Sequence, residues 1–176
     1  MSKNEIIAGL HAANNELLHF CQSLSDELFF RQPAQKWSIA QNVIHLRISA
    51  KATQLAYAAP KFFLRMYTGK PNRPSRSYEE LVRRYQQRLD GGGKATGRFI
   101  PPVVKPGATK QAFLQSYKRN MQRLLTLIER KWKDSQLDLY LAPHPLLGKL
   151  TLRELAFFTI YHTEHHLAIM RLRSME

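Results

Sequence analysis

Three times in this chain a hydroxyl residue is followed three positions later by Glu or Gln, at the head of a long run of spaced apolar residues. The pairs are Ser2 with Glu5, Ser38 with Gln41, and Thr151 with Glu154. Such a box satisfies two orphan amides reciprocally at a helix start, so each pair fixes where a helix begins. Behind the first, Ile6, Leu10, Ala13, Leu17, Cys21 and Leu24 recur at spacings of four and three, predicting a helix over about 3–22. Behind the second, Ile39, Val43, Leu46 and Leu55 give a helix over about 38–59, which Pro60 ends or kinks. A third helix, about 109–132, is read from Phe113, Tyr117, Met121, Leu124, Ile128 and Trp132. The last box opens a fourth, about 151–173, whose inward stripe is Leu155, Thr159, His162, His166 and Ile169.

The remaining segments are less regular. Ser25-Asp-Glu suggests a short helical turn before Pro33, and Ser77 with Glu80 starts a short helix to about Arg88. GKPNRPSRS and DGGGKATGRFIPPVVKPG read as Gly- and Pro-rich loop, as does DSQLDLYLAPHPLLGKL before the fourth helix. No alternating β-branched run competes as a strand. The expected fold is therefore all-α: a four-helix bundle with a long crossover between helices two and three, which lets those two run parallel. One domain is expected over residues 1–176, with an irregular basic insertion at about 60–108.

Charge is segregated along the chain. The net charge is +14, and residues 60–133 carry 18 Lys/Arg against 4 Asp/Glu, which accounts for all of it. A surface of that kind attracts nucleic acid, acidic lipid or anionic small molecules, or serves solubility. The basic region has no zinc-finger, RNA-recognition or GxxG motif, so nucleic-acid binding is the lesser expectation. No apolar run approaches a membrane span, the N-terminus does not read as a signal peptide, and the single Cys21 allows no internal disulfide; a cytoplasmic protein is expected. Cys21 lies on an apolar stripe and reads as a small buried hydrophobe.

The chemistry concentrates in histidine. His162 and His166 are four apart on the inward stripe of the fourth helix, where Leu or Ile would be ordinary. An imidazole buried without a partner costs about 1–3 kcal/mol, so two need a reason. A metal ion supplies one; a pair of hydrogen-bonded core histidines is the alternative, and HxxxH alone does not choose. His45 strengthens the metal reading. Its helical neighbours Gln41, Asn42, Ile48 and Ser49 form a mostly polar or small strip, as where a helix lines a pocket. Two ligands from one helix and a third from another can hold a divalent ion in a bundle and leave coordination positions open. There the ion would lower the pKa of bound water or activate a thiol.

Other histidines rank lower. His165 falls nearer the edge of the stripe, His144 reads as a loop hydrogen-bonder, and His11 and His19 as surface groups on helix one. Thr163 stands where HExxH would need its glutamate, and Glu164 should point away, which excludes a zincin mechanism. Gly91-Gly92-Gly93-Lys94 lacks P-loop spacing, and neither a GxSxG elbow nor a paired-carboxylate signature is present. Trp37, just before the Ser38 cap, reads as a staple-like core residue; Tyr161 and Asn42 are candidate pocket or supporting groups without a definite place.

KWSIAQNVIHL and HPLLGKLTLRELAFFTIYHTEHHLAIM together resemble the DinB-like (DNA-damage-inducible) metal-binding four-helix family, also called the YfiT-like metal hydrolases. The resemblance spans about residues 5–173. It rests on the Trp-Ser start of helix two and its histidine, the HP-x-x-G-x-x-T lead-in, and the closing HxxxH. It implies a divalent metal, zinc or nickel, on His45, His162 and His166, with open positions for water or substrate. It also implies metal-dependent hydrolysis, or transfer reactions of a low-molecular-weight thiol, and frequent homodimers. The catalytic group would then be water or thiol activated at the ion. The basic middle and the insertion at 91–107 depart from the family pattern, and Lys94, Arg98 and Lys105 are candidate contacts for an acidic thiol or co-substrate. The rival expectation is a non-catalytic module whose basic surface meets nucleic acid or an acidic partner.

Overall fold

The structure is a computed structural model and describes residues 1–175. Its long helices are α1 (Lys3–Ser23), α3 (Ile39–Ala58), α6 (Lys110–Lys131) and α7 (Leu152–Met175). Helices α1, α3 and α7 begin at the predicted caps, and α6, read from its apolar spacing alone, begins within a residue or so of the expected start. Ser2 and Ser38 cap α1 and α3 with complete boxes, and Thr109 Oγ1 accepts the amide of Ala112 at the start of α6. Thr151 Oγ1 accepts the amide of Glu154, whose carboxylate accepts the Thr151 amide in return.

The four helices pack in a ring: α1 against α6 and α7, α3 against the same two. Helices α1 and α3, neighbours in sequence, thus occupy opposite corners. Ile6, Leu10, Leu17 and Cys21 of α1 meet Tyr117, Met121, Leu124 and Ile128 of α6 in one apolar core that Leu155, Phe157 and Met170 of α7 complete. At about 25 cal/mol per Å² of apolar area, this burial holds the bundle. Polar pins fix the end remote from the α1 C-terminus: Tyr57 Oη donates to Leu152 O at 2.6 Å, and Trp132 Nε1 to Tyr57 O at 2.9 Å.

The sequence reading needs correction in four places. First, the crossover contains not only the expected helix α5 (Tyr78–Asp90) but also α4 (Lys61–Thr68), in a stretch read as irregular. Pro60 ends α3 and at once serves as the N-cap of α4, because a proline tolerates a helix start but not an interior. The short turn before Pro33 is α2 (Asp26–Phe30), capped by Ser25. Second, two strands exist. β1 (Leu141–His144) pairs antiparallel with β2 (Gly148–Thr151), in register Leu141 with Thr151. Four-residue strands are too short to show alternation. Their real signal was the turn: Gly148 sits at φ +75, a conformation that costs a side chain dearly, and the Leu146 and Leu147 amides donate to His144 Nδ1. The HP-x-x-G-x-x-T run is thus a hairpin that ends in the cap of α7.

Third, Leu55 is 62% exposed and does not join the core stripe of α3. Fourth, Trp37 is only half-buried and packs on histidine rings, as described below. Glu154 was read as a helix cap and is also an anchor. Its carboxylate is fully buried and takes Arg73 Nη1 and Nη2 at 2.6 and 3.0 Å, with the Arg76 amide at 2.8 Å. Burial pushes this carboxyl's pKa up, and the Arg73 guanidinium with the Arg76 and Thr151 amides more than offsets that, leaving it below the ordinary value. The crossover is thereby tied to the start of the helix that carries two of the histidines.

Candidate metal centre

His45 on α3 and His162 and His166 on α7 come together, all three buried, with one ring nitrogen of each within 4.8 Å of the others. His45 Nε2 and His162 Nε2 are 3.1 Å apart. Packing of α3 on α7 makes the meeting possible, and the i, i+4 spacing places both α7 rings on one face. Nitrogens about 2.0–2.1 Å from a tetrahedral ion sit roughly 3.3 Å from one another, so small rotamer changes would close the set.

Hydrogen bonds behind two of the three rings, His45 and His166, fix their tautomers. His45 Nδ1 lies 2.7 Å from Phe99 O, a carbonyl that only accepts, so Nδ1 carries the proton and Nε2 is bare. His166 Nδ1 lies 2.7 Å from Asn42 Oδ1. The orientation of that amide is set by its other end, since Asn42 Nδ2 donates to Ser38 O at 2.9 Å. His166 Nδ1 therefore donates too, and its Nε2 is left bare. Burial lowers the pKa of His45, and lowers those of His162 and His166 strongly, with the neighbouring imidazoles adding to the effect. Neutral rings, two of them with an anchored Nδ1–H and a bare Nε2, and one nitrogen of each close to the others, suit the donor set a divalent ion requires.

The surroundings sort the remaining candidates. Trp37 stacks near-parallel on His166 at 6.3 Å and tilts over His45 at 5.0 Å, so it walls the site instead of filling the core. His165 is half-buried, its ring edge-on to Tyr85 at 6.2 Å, and is outside the cluster. Glu164 points away and accepts Tyr78 Oη at 2.8 Å. Tyr161 is half-buried and accepts Gln86 Nε2 at 2.9 Å. His11 and His19 are exposed, and Cys21 is buried with its thiol pushed up to about 12 by burial. His144 is the expected turn hydrogen-bonder, and burial lowers its pKa to about 4. Sequence reasoning did not find Phe99, whose carbonyl comes from the Gly/Pro-rich crossover, because backbone acceptors leave no residue signature. Asn42 had a signal: it is one turn before His45 on the polar strip.

A cavity of about 1050 Å³ opens over the cluster, lined by all three histidines together with Trp37, Tyr85, Phe158 and crossover residues. Lys94 and Arg98 line it; Lys105 does not. No helix among the described residues is long and apolar enough to cross a membrane.

A ring of four helices, with three neutral imidazoles converging at the floor of a deep cavity, defines a helical-bundle protein whose buried site could hold a metal ion. The chain belongs to the DinB superfamily, whose family model matches residues 10–170. Among solved structures it is similar to YfiT from Bacillus subtilis, described as a probable metal-dependent hydrolase with an unusual four-helix bundle topology. The match has a TM-score of 0.60 and 18% identity, covering 98% of this chain and 86% of that one. It is also similar to the colibactin self-resistance protein ClbS, solved in complex with double-stranded DNA. Here the TM-score is 0.57 and the identity 19%, with 97% of this chain and 94% of that one covered. At such identities the likeness is one of fold. No curated protein matches the sequence.

Proposed function

We propose that this protein is a metal-dependent enzyme acting on a small molecule, either as a hydrolase or as a transferase of a low-molecular-weight thiol, with zinc or nickel on His45, His162 and His166. One observation carries the reading: two of the three rings have Nδ1 committed as donor to Phe99 O and Asn42 Oδ1, which leaves their Nε2 lone pairs bare, and one ring nitrogen of each of the three lies within 4.8 Å of the others. Core histidines that merely satisfied one another would not need two separately anchored tautomers. When bound, the ion would supply a Lewis acid with open positions, able to acidify water or a thiol. The chain's own part is to hold the rings, to exclude bulk water with Trp37 and Phe158, and to offer cationic side chains at Lys94 and Arg98.

The test is elemental analysis of protein purified without chelator or His tag. Wild type should hold about one ion per chain, and His45→Ala, His162→Ala and His166→Ala each far less. Full stoichiometry in all three variants would end the proposal. A panel of thiols with an electrophilic dye, beside a panel of esters, then separates transfer from hydrolysis. Inertness toward every thiol in metal-loaded protein would remove the transferase version. The expected homodimer has a candidate surface on α4, where Phe62, Phe63, Met66 and Tyr67 are exposed; sedimentation equilibrium tests it.

A second reading draws on the net charge of +14 and on the solved complex of ClbS with double-stranded DNA. In that reading the basic surface binds nucleic acid without turnover. Affinity would then fall steeply with added salt, and absence of binding at low salt refutes it.

A further inference from the structure

The walls of the cavity do not match a neutral polar substrate. Among its described lining residues there is no aspartate or glutamate, whereas Lys94 and Arg98 both line it. The rest of the lining is dominated by apolar groups such as Leu89, Leu146, Phe158 and Ile169. A volume of about 1050 Å³ is at the upper limit of small-molecule sites, more than a short acyl or thiol group would fill.

Two of the cations sit on one strap of the crossover, residues 93–99, and neither Lys94 nor Arg98 pairs with a carboxylate among the described residues. Arg98 lies over the ring of Phe99 at 5.2 Å. The strap is held at both ends. At one end Phe99 O receives His45 Nδ1–H at 2.7 Å. At the other, the Gly93 amide donates to Arg88 O at the end of α5 at 2.8 Å, and the hairpin turn lies alongside, with Leu146 and Lys94 lining the same cavity. That turn carries His144, whose Nδ1 accepts two backbone amides, at 3.3 and 3.1 Å. A neutral imidazole with both amides on Nδ1 keeps its proton on Nε2, so His144 is a fixed donor on the cavity wall. Two cations and a neutral N–H donor thus border one largely apolar chamber, and none of its described lining residues is a carboxylate.

We propose that the cavity takes an amphiphilic anion: a molecule with a carboxylate or phosphate-type head, bound by Lys94, Arg98 and the His144 Nε2–H, and an apolar body lying against Leu89, Phe158 and Ile169. This rests on the reading of the cavity as the substrate site. The head group binds at the strap, and the body runs past the histidine cluster, which places a bond within the body at the proposed metal.

Isothermal titration calorimetry with octanoate, decanoate, decyl glucoside and decyltrimethylammonium, all below micelle-forming concentrations, tests the assignment. Metal-loaded and chelator-stripped protein are measured in parallel, which separates head-group binding from carboxylate ligation of the ion. Decanoate should bind at least tenfold tighter than the neutral and cationic decyl probes. Octanoate should bind more weakly by roughly fourfold for each buried methylene it lacks. Lys94→Gln and Arg98→Gln should each weaken decanoate about three- to tenfold, in stripped protein as in loaded protein, without changing metal content. Equal affinity for the three head groups, or decanoate binding untouched by both substitutions, overturns the proposal. Loss of metal stoichiometry in wild type with decanoate selectivity intact would instead overturn the enzyme reading and leave the anion site standing.

Discussion

Replacing Asn42 by leucine should weaken metal binding through a group that never touches the ion. Asn42 is buried, and its Oδ1 is the acceptor that keeps the proton of His166 on Nδ1. In Asn42→Leu the metal-free ring escapes by moving its proton to Nε2. The metal-bound ring cannot, because Nε2 is then the ligand, and Nδ1–H is left buried without a partner. An orphaned buried donor costs about 1–3 kcal/mol, a factor of roughly 5–150 in affinity. Loss of a hydrogen bond behind a metal ligand typically costs 10- to 100-fold, so the two routes agree on one to two decades. Asn42→Asp keeps the acceptor and adds charge, and should bind at least as tightly as wild type. Zinc competition against a chromophoric chelator at pH 7.5 measures both, with circular dichroism to confirm the fold. The reasoning is refuted if Asn42→Leu stays within twofold of wild type, or if Asn42→Asp is as weak as Asn42→Leu.

Three further outcomes follow from the same structure. Glu154→Ala strands Arg73, Arg76 and two backbone amides; with the guanidiniums partly reachable by water, the cost should be about 3 kcal/mol, the low end for a broken buried pair. Urea unfolding should show the loss, and thermal unfolding a midpoint lower by roughly 6–12 °C; a loss under 1 kcal/mol would mean that the crossover is not anchored there. His144 has its folded pKa lowered by burial to about 4, against about 6.5 unfolded, so its neutral form stabilises the fold above pH 6.5 and that stability drains away as pH falls toward 4. The difference in unfolding free energy between pH 7 and pH 4 should therefore shrink by up to about 3 kcal/mol in His144→Gln, and an unchanged difference contradicts the assignment. Gly148→Ala forces a side chain to φ +75 and should cost about 1–2 kcal/mol by thermal denaturation; a neutral substitution would show that the turn can relax.

The long helices were legible because their signals are local and redundant. Ser2, Ser38 and Thr151 announce the starts, and the spaced apolar residues of α1 and α6 are the residues that end up buried. Leu55 escaped that logic, since a position on the apolar stripe of α3 faces the cavity where no helix covers it. The hairpin escaped it too, because eight strand residues cannot show a period while one glycine and one histidine can close a turn. Trp37 was misplaced for a related reason: an aromatic ahead of a cap packs on whatever lies beneath it, and here that is imidazole.

The candidate site divides along the same line. Its three histidines were readable, because polar residues at core-facing positions demand an explanation. What holds them was readable only in part: Asn42 stood out on the polar strip, but which ring it serves did not, and Phe99 and Arg73 gave no signal. Asn42 reaches His166 across 124 positions, Phe99 reaches His45 across 54, and Arg73 reaches Glu154 across 81. Two of these three long-range contacts leave the crossover, the segment with least pattern and most charge. Arg73 fastens it to the start of α7, Phe99 fastens it to a ring of the cluster, and Lys94 and Arg98 line the cavity between hairpin and bundle. A segment that looked like an insertion therefore forms part of the lining of the site. Variation there would change which molecule enters while leaving the histidines, and the chemistry they support, untouched.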